Sequence, residues 1–207
     1  MIVRKEARPN DPMKPWLLRE VSIELSLGRG DFDGAVLNIE VPEEARPVGA
    51  PTPELAEALD TYSQVVGDMP LSLPHVTADL YDMAPKKLRR FVASEVEAYP
   101  LDGDCRPEHG AVGASSFYTL GGEVVLLDTG FTVLAPAGYG LATANVASGL
   151  LSTAPDDGDA DLIHIAAVSQ VVRTARATTL AHARAVARSL DTVLKRATGS
   201  GFAYLPR

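Results

Sequence analysis

The segment that decides the fold class runs from Trp16 to Val41 and has the sequence WLLREVSIELSLGRGDFDGAVLNIEV. Apolar and polar residues alternate from Val21 to Leu27. A second alternating run begins at Ala35, after a turn rich in glycine and aspartate. Alternation with a period of two on both sides of such a turn is typical of a β-hairpin with one buried face. The sequence therefore predicts an antiparallel hairpin over residues 16–41.

Residues 115–135 predict a second hairpin. Two segments, Ser115–Leu120 and Glu123–Asp128, flank the dipeptide Gly121-Gly122. Two glycines accept the positive φ angles that a tight hairpin turn requires. A third strand is predicted from Phe131 to Ala135.

Helices are predicted between and after these hairpins. Two lie in the middle of the chain, at Pro53 to Val66 and at Ala84 to Tyr99. A third, long and amphipathic, covers residues 161–198, with Thr178-Thr179 as the place where two β-branched residues favour a break. Strand pairs followed by helices indicate an α+β fold of antiparallel hairpins packed with helices and ending in a long C-terminal helix.

The domain boundaries follow from proline content and helical pattern. Residues 1–15 are expected to form an extended arm, because three prolines between Ala7 and Pro15 disfavour helix. Residues 16–160 are expected to form the α+β body. The helix of residues 161–198 is expected either to belong to that body or to project to a neighbouring subunit.

Composition and charge exclude some classes of protein. The 207 residues include 19 Lys and Arg against 27 Asp and Glu, a formal net charge of −8. Nucleic acid is therefore not expected to be the main partner, because neutralising phosphates needs a basic surface. A single cysteine excludes an internal disulfide framework. No signal segment is recognised at the start, so the expected location is a virion or the cytoplasm.

One short motif suggests catalysis. Val124-Val125-Leu126-Leu127 is followed by Asp128-Thr129-Gly130. This run resembles the apolar strand and Asp-Thr-Gly signature of retropepsin-like aspartic proteases, in which two aspartates share a proton across a dimer axis. The resemblance implies a catalytic role for Asp128. The alternative is a simple β-turn in which the aspartate caps the turn and the glycine takes positive φ.

A second candidate pair is Cys105 and His109, four residues apart. A thiol beside an imidazole can become a nucleophile, because a cationic neighbour lowers the thiol pKa. The alternative is an incidental cysteine in a polar loop. The four histidines lack the short paired spacing of known metal sites, so neither a metal nor a cofactor is expected.

The C-terminal segment is basic. Residues 161–207 carry 7 basic and 2 acidic side chains. On a helical wheel a basic stripe lies beside the apolar face, and its members are Arg173, Arg176, Arg184, Arg188 and Lys195. These residues are predicted to contact acidic patches on other copies of the chain or on other assembly proteins. The uncharged run Thr129–Pro155 contains Pro136 and several glycines, so a membrane span is not expected.

These features lead to three hypotheses about function. The first is a structural subunit of a large homo-oligomeric assembly, such as the capsid, connector or tail of a bacteriophage, because arms and opposite charges suit contacts between copies. The second is a soluble bacterial enzyme, hydrolytic through Asp128 or Cys105. The third is a small regulatory or ligand-binding domain. In the first hypothesis, which the composition and the lack of catalytic motifs favour, the protein is not an enzyme.

Overall fold

The computed structural model describes residues 2–6, 11–47, 51–113, 116–121, 123–149 and 159–206. The end of the uncharged run, residues 150–155, lies outside the described residues. Helices and small antiparallel sheets alternate along the chain and a helix ends it, so the predicted α+β class is confirmed.

Three strands near the start of the chain form an antiparallel sheet. They are β1 (Ile2–Glu6), β2 (Gly30–Phe32) and β3 (Val36–Glu40), in the order β1-β3-β2. Strand β1 forms from part of the segment predicted to be an extended arm, and it pairs along its whole length with β3. Leu37 and Ile39 of β3 are fully buried under this sheet.

Helix α1 (Lys14–Ser26) connects β1 to β2. The predicted hairpin over residues 16–41 is therefore wrong in its first half, although β2 and β3 do pair in the second half. Side chains facing the interior of α1 recur every three or four residues and include Trp16, Glu20, Ile23 and Glu24. The two glutamates on this buried face interrupt the pattern of apolar residues that a helix normally shows. On the opposite, solvent-facing side, Leu25 is 48% exposed. The alternation of apolar and polar residues from Val21 to Leu27 therefore does not indicate a strand, because these residues belong to the end of a helix.

The two helices predicted in the middle of the chain are present, and a third helix that was not predicted lies between them. After the short strand β4 (Arg46–Pro47) come helices α2 (Pro53–Gly67), α3 (Val76–Met83) and α4 (Arg89–Ala98). Helix α2 begins where the Thr52 hydroxyl accepts a hydrogen bond from the backbone N–H of Leu55 at 3.3 Å, which is an N-cap.

Four strands follow. The predicted hairpin is confirmed, because β6 (Phe117–Leu120) and β7 (Glu123–Leu126) pair antiparallel across the glycine turn. The predicted third strand is also present, as β8 (Thr132–Pro136), but it pairs with β5 (Cys105–His109) and not with the hairpin. Strand β4 pairs with the other edge of β6.

Three helices complete the chain: α5 (Tyr139–Ser148), α6 (Asp159–Ala177) and α7 (Leu180–Ala197). The break between α6 and α7 falls at Thr178-Thr179, as predicted, and the Thr179 hydroxyl caps α7 by accepting a hydrogen bond from the His182 N–H at 3.2 Å. Helix α6 lies in the largest apolar core, in contact with α3, α4, α5 and α7. Most of the C-terminal segment is therefore packed within this chain.

In the described part of the chain, every helix is too short or too polar to cross a membrane.

Candidate functional site

Asp128 lies just beyond β7, in an unusual backbone conformation. Its φ angle is 58°, and among the described residues no other non-glycine residue has positive φ. A short 3-10 helix, Thr129–Phe131, follows it. Aspartate is one of the few side chains that tolerate this conformation, and such residues cluster at functional sites. The observed geometry thus marks the Asp-Thr-Gly turn as a candidate site.

The Asp128 carboxylate has a cation on one side and a hydroxyl on the other. Lys5 Nζ donates to Asp128 Oδ1 at 2.6 Å, and Ser116 Oγ donates to Oδ2 at 2.9 Å. Burial raises the pKa of Asp128, but the Lys5 ammonium and the hydrogen bond from Ser116 together outweigh burial and hold that pKa below its ordinary value. Asp128 is therefore a carboxylate at neutral pH.

Lys5 joins β1 to α1 as well. Its Nζ also donates to Glu20 Oε1 at 2.5 Å, so one ammonium bridges two carboxylates. Burial alone would lower the pKa of Lys5, yet Asp128 and Glu20 together raise it above its ordinary value. Glu20 is almost fully buried, and burial raises its pKa. We call Lys5, Glu20 and Asp128 the ion triad.

A second buried carboxylate of α1 holds the same turn. Glu24 is fully buried and accepts two hydrogen bonds from the Arg29 guanidinium, at 2.9 and 3.0 Å. Glu24 also accepts a hydrogen bond from the Thr129 hydroxyl at 2.8 Å. Arg29 in turn donates to the Leu126 carbonyl oxygen at 3.0 Å. Thr129 is therefore fixed to α1 directly through Glu24, and the Leu126 carbonyl at the end of β7 is fixed to α1 through Arg29.

Gly130, the third residue of the turn, lies against the backbone of α1. A Cβ atom at this position would be 2.3 Å from the carbonyl oxygen of Trp16 and 3.1 Å from the Cβ of Glu20. Trp16 is itself anchored, because its indole N–H donates to Asp79 Oδ2 at 3.0 Å. Only glycine allows the helix and the turn to approach this closely.

His109 is fully buried at the end of β5. Its Nε2 lies 2.6 Å from the Leu127 carbonyl oxygen, and its Nδ1 is 3.3 Å from the backbone N–H of Ala111. Nδ1 therefore accepts and Nε2–H donates, which is a neutral imidazole. Burial lowers the pKa of His109 to about 4. The ring fixes the backbone next to Asp128.

Cys105 is exposed at the opposite end of the same strand. Its thiol lies 3.7 Å from the Gly103 carbonyl oxygen. Four residues of extended strand separate it from His109 by about 13 Å, at about 3.3 Å per residue. The structure therefore does not bring the thiol and the imidazole together.

The predicted interface residues do not form one exposed stripe. Arg176 Nε donates to the Met83 carbonyl oxygen at 2.6 Å, and Arg173 lies over the Phe131 ring at 6.0 Å. Lys195 is paired with Asp191 of its own helix at 2.7 Å. Arg184 is half-buried and Arg188 is exposed. Contact of these residues with other copies of the chain stays a prediction.

Sequence reasoning identified Asp128 but missed the residues around it. Lys5 and Ser116 contact its carboxylate, whereas Glu20, Glu24 and Arg29 hold the neighbouring groups. Lys5 is 123 residues away from Asp128 in the chain. The available signal was the spacing of Trp16, Glu20 and Glu24 at four-residue intervals, which places all three on one face of a helix. A pocket of about 250 Å³ opens beside the triad, between β1, the start of α1 and the Asp-Thr-Gly turn.

Comparison with known proteins finds a similarity of fold. No protein family matches the sequence, and no curated protein matches it either. Among solved structures, the chain is similar to a choline kinase, LicA from Streptococcus pneumoniae, with a TM-score of 0.52 and 11% identity. The similarity covers 91% of this chain and 78% of the other. At this identity the likeness concerns the fold alone.

This likeness corrects the first hypothesis about function. The prediction of a bacteriophage structural subunit is wrong, because the solved structure with a similar fold is an enzyme, a choline kinase, and not a virion protein. The features that suggested an assembly also have internal explanations. Residues 2–6 are a paired strand of the first sheet, and α6 is buried in the core.

Proposed function

We propose that the protein binds a nucleoside triphosphate together with a divalent cation at the ion triad. The solved structure that this chain resembles is that of a choline kinase. Kinases work mainly by positioning phosphates with a lysine and with oxygen ligands that hold metal ions. The observation that carries the proposal is the bridge from Lys5 to both Glu20 and Asp128.

The Lys5–Glu20 pair supports this proposal by its place in the chain. In protein kinases a strand lysine pairs with a glutamate of the following helix and contacts the nucleotide phosphates. Here Lys5 lies on β1 and Glu20 on α1, the next helix. The Lys5 ammonium, held by carboxylates on two sides, is placed to bind phosphate oxygens in the adjacent pocket.

Asp128 and Ser116 are the proposed ligands of the cation. In protein kinases the Asp of an Asp-x-Gly triplet and an Asn of the catalytic loop hold magnesium. Asp128 begins such a triplet, and Ser116 already contacts its carboxylate. The described ranges contain no group of three or more His, Cys, Asp or Glu side chains that could hold a metal ion. One carboxylate and one hydroxyl fit magnesium, which completes its shell with water and phosphate oxygens.

Position 111 limits the chemistry that is proposed. The kinase catalytic loop has the pattern His-Arg-Asp-Leu-x-x-x-Asn, whose Asp takes the proton of the acceptor hydroxyl. The same spacing here gives His109, Ala111 and Ser116, so the base position holds alanine. A positioned base contributes about 10² to 10⁴ in rate. We therefore place the function in binding the nucleotide rather than in rapid transfer of its phosphate.

The hydrolytic alternatives have less support. The retropepsin mechanism needs a second aspartate that shares a proton with the first, whereas Asp128 is ionised by its contact with Lys5. The alternative nucleophile, Cys105, is far from His109 along β5.

Titration calorimetry with ATP tests the proposal. We expect magnesium-dependent binding that disappears when EDTA replaces the metal. Asp128→Asn removes a metal ligand, and Lys5→Met removes the phosphate contact, so each should weaken binding about tenfold or more.

Matched controls are Asp68→Asn and Lys86→Met, which change exposed residues outside the triad and should leave the affinity unchanged. Circular dichroism shows whether each variant is folded. Absence of ATP binding, or equal affinity in the folded Asp128→Asn variant, contradicts the proposal.

A further inference from the structure

A second and larger pocket lies on another side of the hairpin formed by β6 and β7. Its volume is about 560 Å³, within the range of about 300 to 1,000 Å³ that is typical of small-molecule sites. Helix α2 forms one wall and β7 the other, and Leu27 and Arg29, which follow α1, close the pocket. This volume suits one small organic molecule.

The walls of this pocket combine apolar and polar side chains. Helix α2, strand β7 and the segment after α1 contribute to the walls. The apolar and aromatic side chains among them are Leu27, Ala58, Tyr62, Val65, Val124 and Leu126. Val65 is 43% exposed although it is large and apolar. An exposed valine in a concave apolar surface is available to cover the body of a ligand.

The charge at the rim is negative. Glu54 and Glu57 lie three residues apart on the same face of α2, and Glu123 begins β7 on the opposite wall. In the part of the chain that the structure describes, none of these three carboxylates is in an ion pair.

One cation also lines the pocket, but its charge is already compensated. The Arg29 guanidinium donates two hydrogen bonds to the buried Glu24 and a third to the Leu126 carbonyl oxygen. Its bonds are therefore directed at the protein. The pocket therefore presents apolar side chains between α2 and β7, with three carboxylates at its edge that have no ion-pair partner among the described residues.

We propose that this pocket binds a small amphipathic organic cation, with an apolar body between α2 and β7 and a protonated amine at the glutamate rim. Charge complementarity selects a cation over a neutral or anionic molecule of the same shape. The volume selects a small molecule over a basic peptide. This proposal is independent of nucleotide binding at the ion triad.

Tryptamine and indole-3-propionate are suitable probes, because both have an indole body and they differ in the sign of the charge. We expect tryptamine to bind to the full chain in the absence of nucleotide, measured by saturation-transfer NMR and calorimetry at up to about 5 mM. Indole-3-propionate should bind more weakly.

Two variants separate the contributions of charge and shape. Glu54→Gln combined with Glu57→Gln should weaken tryptamine binding about three- to tenfold, as expected for two exposed ion pairs. Ala58→Phe should abolish binding by filling the pocket. Glu97→Gln, an exposed carboxylate on α4, is the matched control and should change nothing.

Three outcomes overturn the proposal: no binding of tryptamine, equal binding of indole-3-propionate, or unchanged binding in a folded Ala58→Phe variant. Tighter binding of an oligolysine peptide than of tryptamine contradicts the small-molecule occupant. None of these results bears on ATP binding, so failure of this proposal and failure of the proposed function are distinguishable.

Discussion

Gly130→Ala is expected to lower the free energy of unfolding by about 3 kcal/mol or more. The new methyl group would lie 2.3 Å from the Trp16 carbonyl oxygen, and a backbone atom cannot move aside as a flexible side chain can. Helix α1 would have to shift away from the Asp-Thr-Gly turn. That shift would also lengthen the contacts from Glu24 to Thr129 and from Glu20 through Lys5 to Asp128.

Urea unfolding followed by circular dichroism measures this effect. The control is Gly67→Ala at the end of α2, where a Cβ atom meets only Pro107, at 3.9 Å. Alanine is favoured over glycine in helices by about 0.5 to 1 kcal/mol, so this variant should be as stable as the parent or more stable. A Gly130→Ala protein that unfolds at the same urea concentration as the parent would show that α1 does not lie this close to the turn.

Acid is expected to destabilise the protein through two buried histidines. Burial lowers the pKa of both His109 and His164 to about 4, against an ordinary value of 6.5. The folded state therefore binds fewer protons than the unfolded state between these pH values, and stability is lost as pH falls from 6.5 towards 4. A difference of about 2.5 pKa units corresponds to about 3 kcal/mol for each histidine.

The contribution of each histidine is isolated by substitution, because Glu20 and Glu95 have raised pKa values that act in the opposite direction. Urea unfolding at several pH values should show a smaller loss between pH 6.5 and 4 for His109→Gln and for His164→Gln than for the parent. His182→Gln, at an exposed position on α7, should keep the full pH dependence. An unchanged slope in both buried variants would indicate that these imidazoles are protonated in the folded protein.

Much of the fold could be predicted from local chemistry. The Gly121-Gly122 turn identified the β6–β7 hairpin, and Thr178-Thr179 identified the end of α6. Helix α1 was missed because Glu20 and Glu24 occupy its buried face, where a helical pattern requires apolar residues. Those carboxylates are buried only because Lys5, Arg29 and Thr129 compensate them. A residue pattern does not reveal compensation by distant side chains.

The candidate site could be predicted only in part, for a related reason. Asp128 was identified from an apolar strand followed by Asp-Thr-Gly, which is a local motif. Its pairing with Lys5 depends on how the first sheet lies against the hairpin, and that contact joins residues 123 positions apart. Cys105 and His109, four residues apart, looked adjacent in sequence, yet an extended strand separates them.

The ion triad also restricts how this sequence can change over time. Loss of Lys5 alone would leave the buried Glu20 carboxylate beside the half-buried Asp128 carboxylate without a cation between them. Loss of one carboxylate would leave part of the ammonium charge uncompensated. Each single replacement is therefore more harmful than the pair made together, which is strong epistasis. Genetic drift at positions 5, 20 and 128 would have to proceed through coupled exchanges, so variation among descendants of this protein should be correlated across the three.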